Sequence, residues 1–182
     1  MNRYIAFLRA VNVGGHNKIK MNELKKIFVS LGYKDVKTLI QSGNVIFESS
    51  VKDSKIITKK IEKKLQSFIG NDVKVFIRTK KEIEEIFNNN PFKNKKLDES
   101  TRIYIAFLYK HTDSTVKKLV KTLNNEYDTY FAGNKEIYCL IHKDEKRGSY
   151  FSILQLEKKL NLPLTTRNQT TVLKIKSILN NE

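Results

Sequence analysis

The chain carries one five-residue string twice, each time where a strand is expected. Tyr4-Ile5-Ala6-Phe7-Leu8 reappears as Tyr104-Ile105-Ala106-Phe107-Leu108. Two further echoes follow in the same order. Glu23-Leu24-Lys25-Lys26-Ile27 is answered by Thr115-Val116-Lys117-Lys118-Leu119, and Ser42-Gly43-Asn44 by Ala132-Gly133-Asn134. The offsets are 100, 92 and 90 residues, so the order is kept and one loop is shorter in the second half. Ordered self-similarity of this kind reads as an internal duplication of one supersecondary unit. It constrains architecture strongly and chemistry hardly at all.

Hydrophobic periodicity supplies the elements. A strand is expected over 3–9, apolar on both faces, then a Gly-containing loop over 10–20. Leu24, Ile27, Phe28 and Leu31 recur at helical spacing over 22–31, with Gly32 as the C-terminal cap. Strands over 35–40 and 44–48 flank Gln41-Ser42-Gly43, a hairpin turn. A helix over 53–69 turns Ile57, Ile61, Leu65 and Phe68 inward and Lys59, Lys60, Lys63 and Lys64 outward. A strand over 73–79 closes the set. The order strand–helix–strand–strand–helix–strand is the ferredoxin-like arrangement. A helix near 80–89, with Ile83, Ile86 and Phe87 inward, leads into a polar connector from Asn88 to Ser100. Strand 102–109, helix 113–124, strands 127–132 and 135–141, and helices over 150–160 and 169–180 follow. The last helix stands where a complete second copy needs its final strand. The expected fold class is therefore α+β, with two ferredoxin-like halves and the second incomplete. The expected domains are a first half over 1–80, a helix and connector over 81–100, and a second half over 101–182.

Strands 4–8, 104–109 and 137–141 are apolar on both faces, whereas a ferredoxin-like sheet covers one face with its own helices. The other face must be buried too, against the partner half or another subunit. A sheet face open for stacking bases is thereby disfavoured. Gly43-Asn44-Val45-Ile46-Phe47 also lacks the basic residue and paired aromatics of an RNA-recognition strand.

Charge is the other global signal. The net charge is +16 and the pI about 9.8. Such a balance suits nucleic acid, an anionic surface or an acidic substrate. Only six of the 35 basic residues are Arg, however, and a Lys-, Asn- and Ile-rich composition is also what an AT-rich genome produces. No apolar run approaches the roughly 20 residues that span a bilayer, and Met1-Asn2-Arg3 runs straight into a strand without a signal-peptide core. A single cysteine, Cys139, excludes an internal disulfide and a multi-cysteine metal site. Cytoplasmic residence is the expectation.

Three stretches carry a family resemblance: Leu8-Arg9-Ala10-Val11-Asn12-Val13-Gly14-Gly15 with Lys18-Ile19-Lys20-Met21, then Ile40-Gln41-Ser42-Gly43-Asn44-Val45, then Thr165-Thr166-Arg167-Asn168 with Thr170-Thr171-Val172. In wording, order and spacing, over nearly the whole chain, the sequence resembles the bacterial domain-of-unknown-function family 1697. The resemblance implies an α+β protein built on paired ferredoxin-like units and carries no activity with it. Three departures stand out. Ala10 and Gln169 replace a usual Gly and a usual aromatic, commonly Trp, and Lys143 to Ser149 lacks the expected Pro-Gly wording.

The candidate site residues come from these loops. Arg9, Asn12, Gly14, Gly15, His16 and Lys18, with Lys20, surround a strand-to-helix loop whose N–H groups and helix dipole suit a phosphate or carboxylate. Tight-turn chemistry explains the glycines equally. Gln41, Ser42 and Asn44 offer an amide and a hydroxyl, or serve ordinary hairpin bonding. Thr166 with Gln169 fits a capping box, which leaves Arg167 and Asn168 free, Arg167 as an anion fork. Cys139 shares a strand face with Ile137 and Ile141 and reads as a small buried hydrophobe. His16, His111 and His142 show no metal spacing. No metal, no cofactor and no paired-carboxylate site is expected. Three readings stay open: a protein binding an anionic small molecule at a cleft of the 9–18, 41–44 and 165–168 loops; a basic nucleic-acid-binding module using Lys59, Lys60, Lys63, Lys64 and the 93–96 connector; and an interaction subunit without a small ligand.

Overall fold

The computed structural model describes residues 1–12, 17–39, 43–142 and 152–180. The chain divides into two compact units, Met1–Glu82 and Ile83–Glu182. Among the described residues it is a mixed α+β fold with two four-stranded antiparallel sheets and six helices.

The first unit runs β1 (Asn2–Leu8), α1 (Met21–Ser30), β2 (Lys34–Leu39), β3 (Asn44–Ser49), α2 (Ser54–Ile69), β4 (Val75–Thr79), in sheet order β2-β3-β1-β4. Strand side chains alternate between faces. Tyr4, Ala6, Leu8, Val45, Phe47, Val75 and Ile77 therefore meet Leu24, Ile27 and Phe28 of α1 and Ile57, Ile61 and Leu65 of α2 in one core. The opposite face is buried as well, through Ile5, Phe7, Ile46, Phe76 and Arg78. Both helices stop where expected. Gly32 lies just past α1 and Gly70 caps α2, each left-handed (φ 84° and 82°), which glycine takes without strain. Phe68 corrects the inward assignment. It is 54 % exposed, because α2's last turn carries it off the buried stripe of Ile57, Ile61 and Leu65.

The second unit holds most of α3 (Lys80–Asn88), then β5 (Thr101–Leu108), α4 (Ser114–Thr122), β6 (Asp128–Ala132), β7 (Glu136–His142), α5 (Ile153–Leu160), β8 (Leu164–Asn168) and α6 (Gln169–Asn180). Its sheet order is β6-β7-β5-β8. β8 overturns the expectation of a missing final strand. Leu-Thr-Thr-Arg-Asn is too short and polar to announce a strand, yet it pairs along β5 from Tyr104↔Asn168 to Leu108↔Leu164. Leu164 meets the core of Ala106, Leu108, Ile137, Cys139, Ile141, Leu156 and Leu160. α6 packs along β5 and β8, and the Tyr138 hydroxyl donates to the Ile86 carbonyl of α3 at 2.9 Å. Asn90, just past α3, donates to the Gln169 side chain at 3.0 Å, so the start of the polar connector is tied into this unit.

The two units share several geometric devices. Ile5 faces Arg78 as Ile105 faces Arg167, and both arginines are buried. Glu62 of α2 accepts from the Val75 N–H at 2.8 Å, and Glu157 of α5 accepts from the Leu164 N–H at the same distance. Each bond covers a donor on an edge strand that would otherwise be open to pairing. One echo is shifted. Leu8 donates to the Gly43 carbonyl and Leu108 to that of Lys135, so Gly43 corresponds to Lys135, and Gly133 sits two residues earlier, its N–H donating to the Glu136 carbonyl.

Gly43 also yields a test. Its φ is 68°, and an added Cβ would lie 3.0 Å from Leu8 Cβ and 3.3 Å from Val11 Cβ. Gly43→Ala is expected to lower the unfolding free energy by about 1–2 kcal/mol from the left-handed backbone alone, with the close approach adding to it. Urea denaturation would check it.

Candidate functional site

Strain and polar pinning concentrate at one loop of the first unit. Of the five non-glycine residues at positive φ among the described residues, Ala10 (54°), Asn12 (57°) and Asn17 (48°) lie between β1 and α1. Such backbone persists only where the surroundings hold it in place. Here they do. Asn12 Nδ2 donates to the Ile19 carbonyl and Asn12 Oδ1 accepts from the Ile19 N–H, both at 2.9 Å. The Asn12 N–H donates to the Asn17 carbonyl at 3.3 Å, and Asn17 Nδ2 donates to the Ala10 carbonyl at 3.2 Å. Asn71 donates to Asn17 Oδ1 at 3.0 Å. Position 10, where the family resemblance expects Gly, is left-handed, and Gly is the residue that takes that conformation freely.

This clasp delivers the chain to the start of α1 beside an open groove of about 750 Å³ lined by Asn12, Lys18, Ile19, Lys20, Met21, Asn22 and Glu23. Lys18 and Lys20 are exposed. Lys20 is the N-cap of α1, and its ammonium has no lone pair with which to accept a first-turn N–H. Asp53, Asp113 and Ser152 do provide such acceptors for α2, α4 and α5. Glu23 reaches back to accept from the Lys20 N–H at 3.2 Å. The groove thus joins two lysines to the positive end of a helix.

The expected site residues separate on this geometry. Asn12 and Lys18 line the groove. Arg9 is half-buried outside it, its N–H donating to the Lys74 carbonyl at 2.9 Å. Asn44 is fully buried and donates to the Leu39 carbonyl at 3.1 Å, closing the hairpin. Gly14, Gly15, His16, Gln41 and Ser42 lie outside the described residues. Arg167 is buried in β8 and donates to Thr165 Oγ1 at 2.9 Å and the Thr166 carbonyl at 2.8 Å. Burial pulls its guanidinium down to about 10, which leaves it charged at neutral pH. The Thr166–Gln169 capping box gives way to a different cap: Thr166 belongs to β8, and Asn168 Oδ1 accepts from the Thr171 N–H at 2.8 Å. An Asx cap three residues ahead was as consistent with Asn168-Gln169-Thr170-Thr171 as the Thr reading of the same run.

Other chemistry is limited. Cys139 is fully buried, and desolvation, with Asp128 adding to it, pushes its thiol up, away from thiolate reactivity. Among the described residues no group of three His, Cys, Asp or Glu side chains converges as a metal site, and no helix is long and apolar enough to cross a membrane.

Comparison with known proteins adds a fold and a family. The conserved bacterial protein SP0830 from Streptococcus pneumoniae has a similar structure, with a TM-score of 0.80 and 24% identity over 99% of each chain. At that identity the likeness speaks for the fold. No curated protein matches the sequence. The model of the family described as "Protein of unknown function (DUF1697)" matches residues 1–138, and the chain belongs to that family.

Proposed function

We propose that this protein binds a small anionic molecule, a phosphate or carboxylate compound, in the groove at the start of α1. The observation that carries the reading is the Asn12–Ile19 clasp, with both amide ends bonded at 2.9 Å. It holds a strained loop in one shape and so fixes Lys18 and Lys20 about a helix N-terminus whose N-cap offers no acceptor. A ligand anion would receive first-turn N–H groups and two ammonium donors, while Ile19 and Met21 give the groove an apolar wall.

The same reading takes the two units as ferredoxin-like repeats of one ancestral βαββαβ element. The matching sheet orders, the buried Arg78 and Arg167 opposite Ile5 and Ile105, and the paired Glu62 and Glu157 caps support it.

Inorganic phosphate is the first probe. Titration followed by amide NMR should shift the N–H signals of Asn22 and Glu23. Lys18→Ala with Lys20→Ala should weaken the response by about tenfold or more, since each charged hydrogen bond contributes about 1.5–3 kcal/mol. Shifts scattered over unrelated lysines, or an unchanged affinity in the double variant, would remove the reading.

A further inference from the structure

The solvent side of α1 and α2 is a lysine-covered surface with aliphatic side chains set into it. Lys25, Lys26 and Val29 of α1 and Ile56, Lys59, Lys60, Lys63 and Lys64 of α2 are all exposed. Ile56 precedes Lys59 and Lys60 by three and four residues, and Lys63 follows them by four and three, along one side of α2. Ile56 is 55 % and Val29 54 % exposed, although both belong to the side-chain class that folding ordinarily buries. The carboxylates of these helices and their caps do not offset the charge locally. Glu23 accepts from the Lys20 N–H, Asp53 from the Lys55 N–H and Glu62 from the Val75 N–H. Among the described residues no ion pair engages Lys25, Lys26, Lys59, Lys63 or Lys64. Lys60 donates to the Leu31 carbonyl at 3.0 Å, while Lys25, Lys26, Lys59, Lys63 and Lys64 are left exposed.

We infer that this helical face docks on an anionic lipid surface. Charge complementarity selects an anionic partner. The aliphatic residues select among anions. A leaflet boundary accepts Ile56 and Val29 below the headgroups while the surrounding lysines reach phosphates, which is how a basic amphipathic face lies on a membrane. A sugar–phosphate rim would meet the same lysines and leave Ile56 and Val29 against charge. The layer also lacks arginine, whose planar fork grips individual phosphates; lysine ammoniums suit a diffuse field of charge. None of these exposed residues lines the groove at the start of α1.

The test is co-sedimentation of the full chain with vesicles of phosphatidylcholine alone or mixed with phosphatidylglycerol, beside a titration with duplex RNA. Four proteins are compared: the native chain, Lys59→Glu with Lys63→Glu, Ile56→Ser, and Lys117→Glu with Lys118→Glu on α4 as a control of equal charge change. All the substituted side chains lie on helix surfaces, and circular dichroism confirms that each variant keeps the native helix content. The native chain is expected to sediment with the anionic vesicles and not with phosphatidylcholine alone. The Lys59/Lys63 variant should lose about tenfold or more of that affinity, Ile56→Ser several-fold, and the α4 control less than either. Equal binding to both vesicle types, absence of binding to the anionic ones, an equal loss in the control, or an anionic-vesicle affinity indifferent to Ile56→Ser would each overturn the inference. Tighter binding to duplex RNA than to the anionic vesicles, lost in the lysine variant and kept in Ile56→Ser, would overturn it in favour of a nucleic-acid surface.

Discussion

Phe47→Ala is expected to lower the unfolding free energy by about 3–5 kcal/mol, the range for truncating a buried aromatic. Phe47 is fully buried in β3. Its ring lies 4.6 Å from that of Tyr33, 5.2 Å from Phe28 and 5.8 Å from Tyr4, so one side chain joins the sheet, α1 and the turn that follows α1. Alanine there removes the contact area and leaves a cavity that three rings on separate elements cannot close together. The loss should fall at the upper end of the range for that reason. Urea denaturation is the measurement, and the midpoint should drop while the slope holds. A change below about 1 kcal/mol would mean that the aromatic cluster repacks freely.

Glu136→Ala is expected to cost the second unit about 2–4 kcal/mol, with Glu136→Gln in between. The carboxylate is buried at the start of β7. It accepts from the Asn134 N–H at 2.9 Å and from the Lys135 N–H at 3.1 Å, so both oxygens hold the turn. Hydrogen bonds to a charged group contribute about 1.5–3 kcal/mol each. Glutamine keeps one carbonyl oxygen for the two N–H groups. Tyr138 sits beside this carboxylate, 3.4 Å from Oε1, while its single proton goes to the nearer Ile86 carbonyl at 2.9 Å. Burial, reinforced by Glu136, pushes that phenol up, so it stays neutral through the usual tyrosine range. A double-mutant cycle sharpens the test. A Cβ on Gly133 would collide with Glu136 Oε1 and also meet Tyr138 Cε2 at 2.9 Å. Gly133→Ala should therefore cost less in the Glu136→Ala background than in the native chain. Strict additivity would show that Glu136 does not lie over the turn as described.

Several features of this protein could be read along the chain because a few neighbouring residues suffice to set them. α1 and α2 follow from apolar residues at helical spacing, with Gly32 and Gly70 where the helices must stop. The doubly apolar strands Tyr4–Leu8 and Tyr104–Leu108 are buried on both faces, apart from a partly exposed Tyr104. A loop was expected over 10–20, and among its described residues Ala10, Asn12 and Asn17 are left-handed.

The rest depended on partners far away in sequence. β8 has only five residues and two threonines, and it becomes a strand because β5 offers an unpaired edge and Leu164 an apolar contact. Arg167 looked like a free anion fork, yet it alternates onto the buried side of β8, where its Nη1 donates to Thr165 Oγ1 and the Thr166 carbonyl. Asn44 looked like a ligand amide and instead closes its own hairpin through Leu39. Asn12 is the reverse case: both ends of its amide are bonded to Ile19, and that clasp shapes the groove around Lys18 and Lys20. Helices and doubly apolar strands are encoded by spacing within a turn or a pleat, so the sequence by itself determined them. Which polar side chain is buried, and which of its bonds are satisfied, depends on strand pairing and register between residues as far apart as Ile105 and Arg167, and only the tertiary structure decided it.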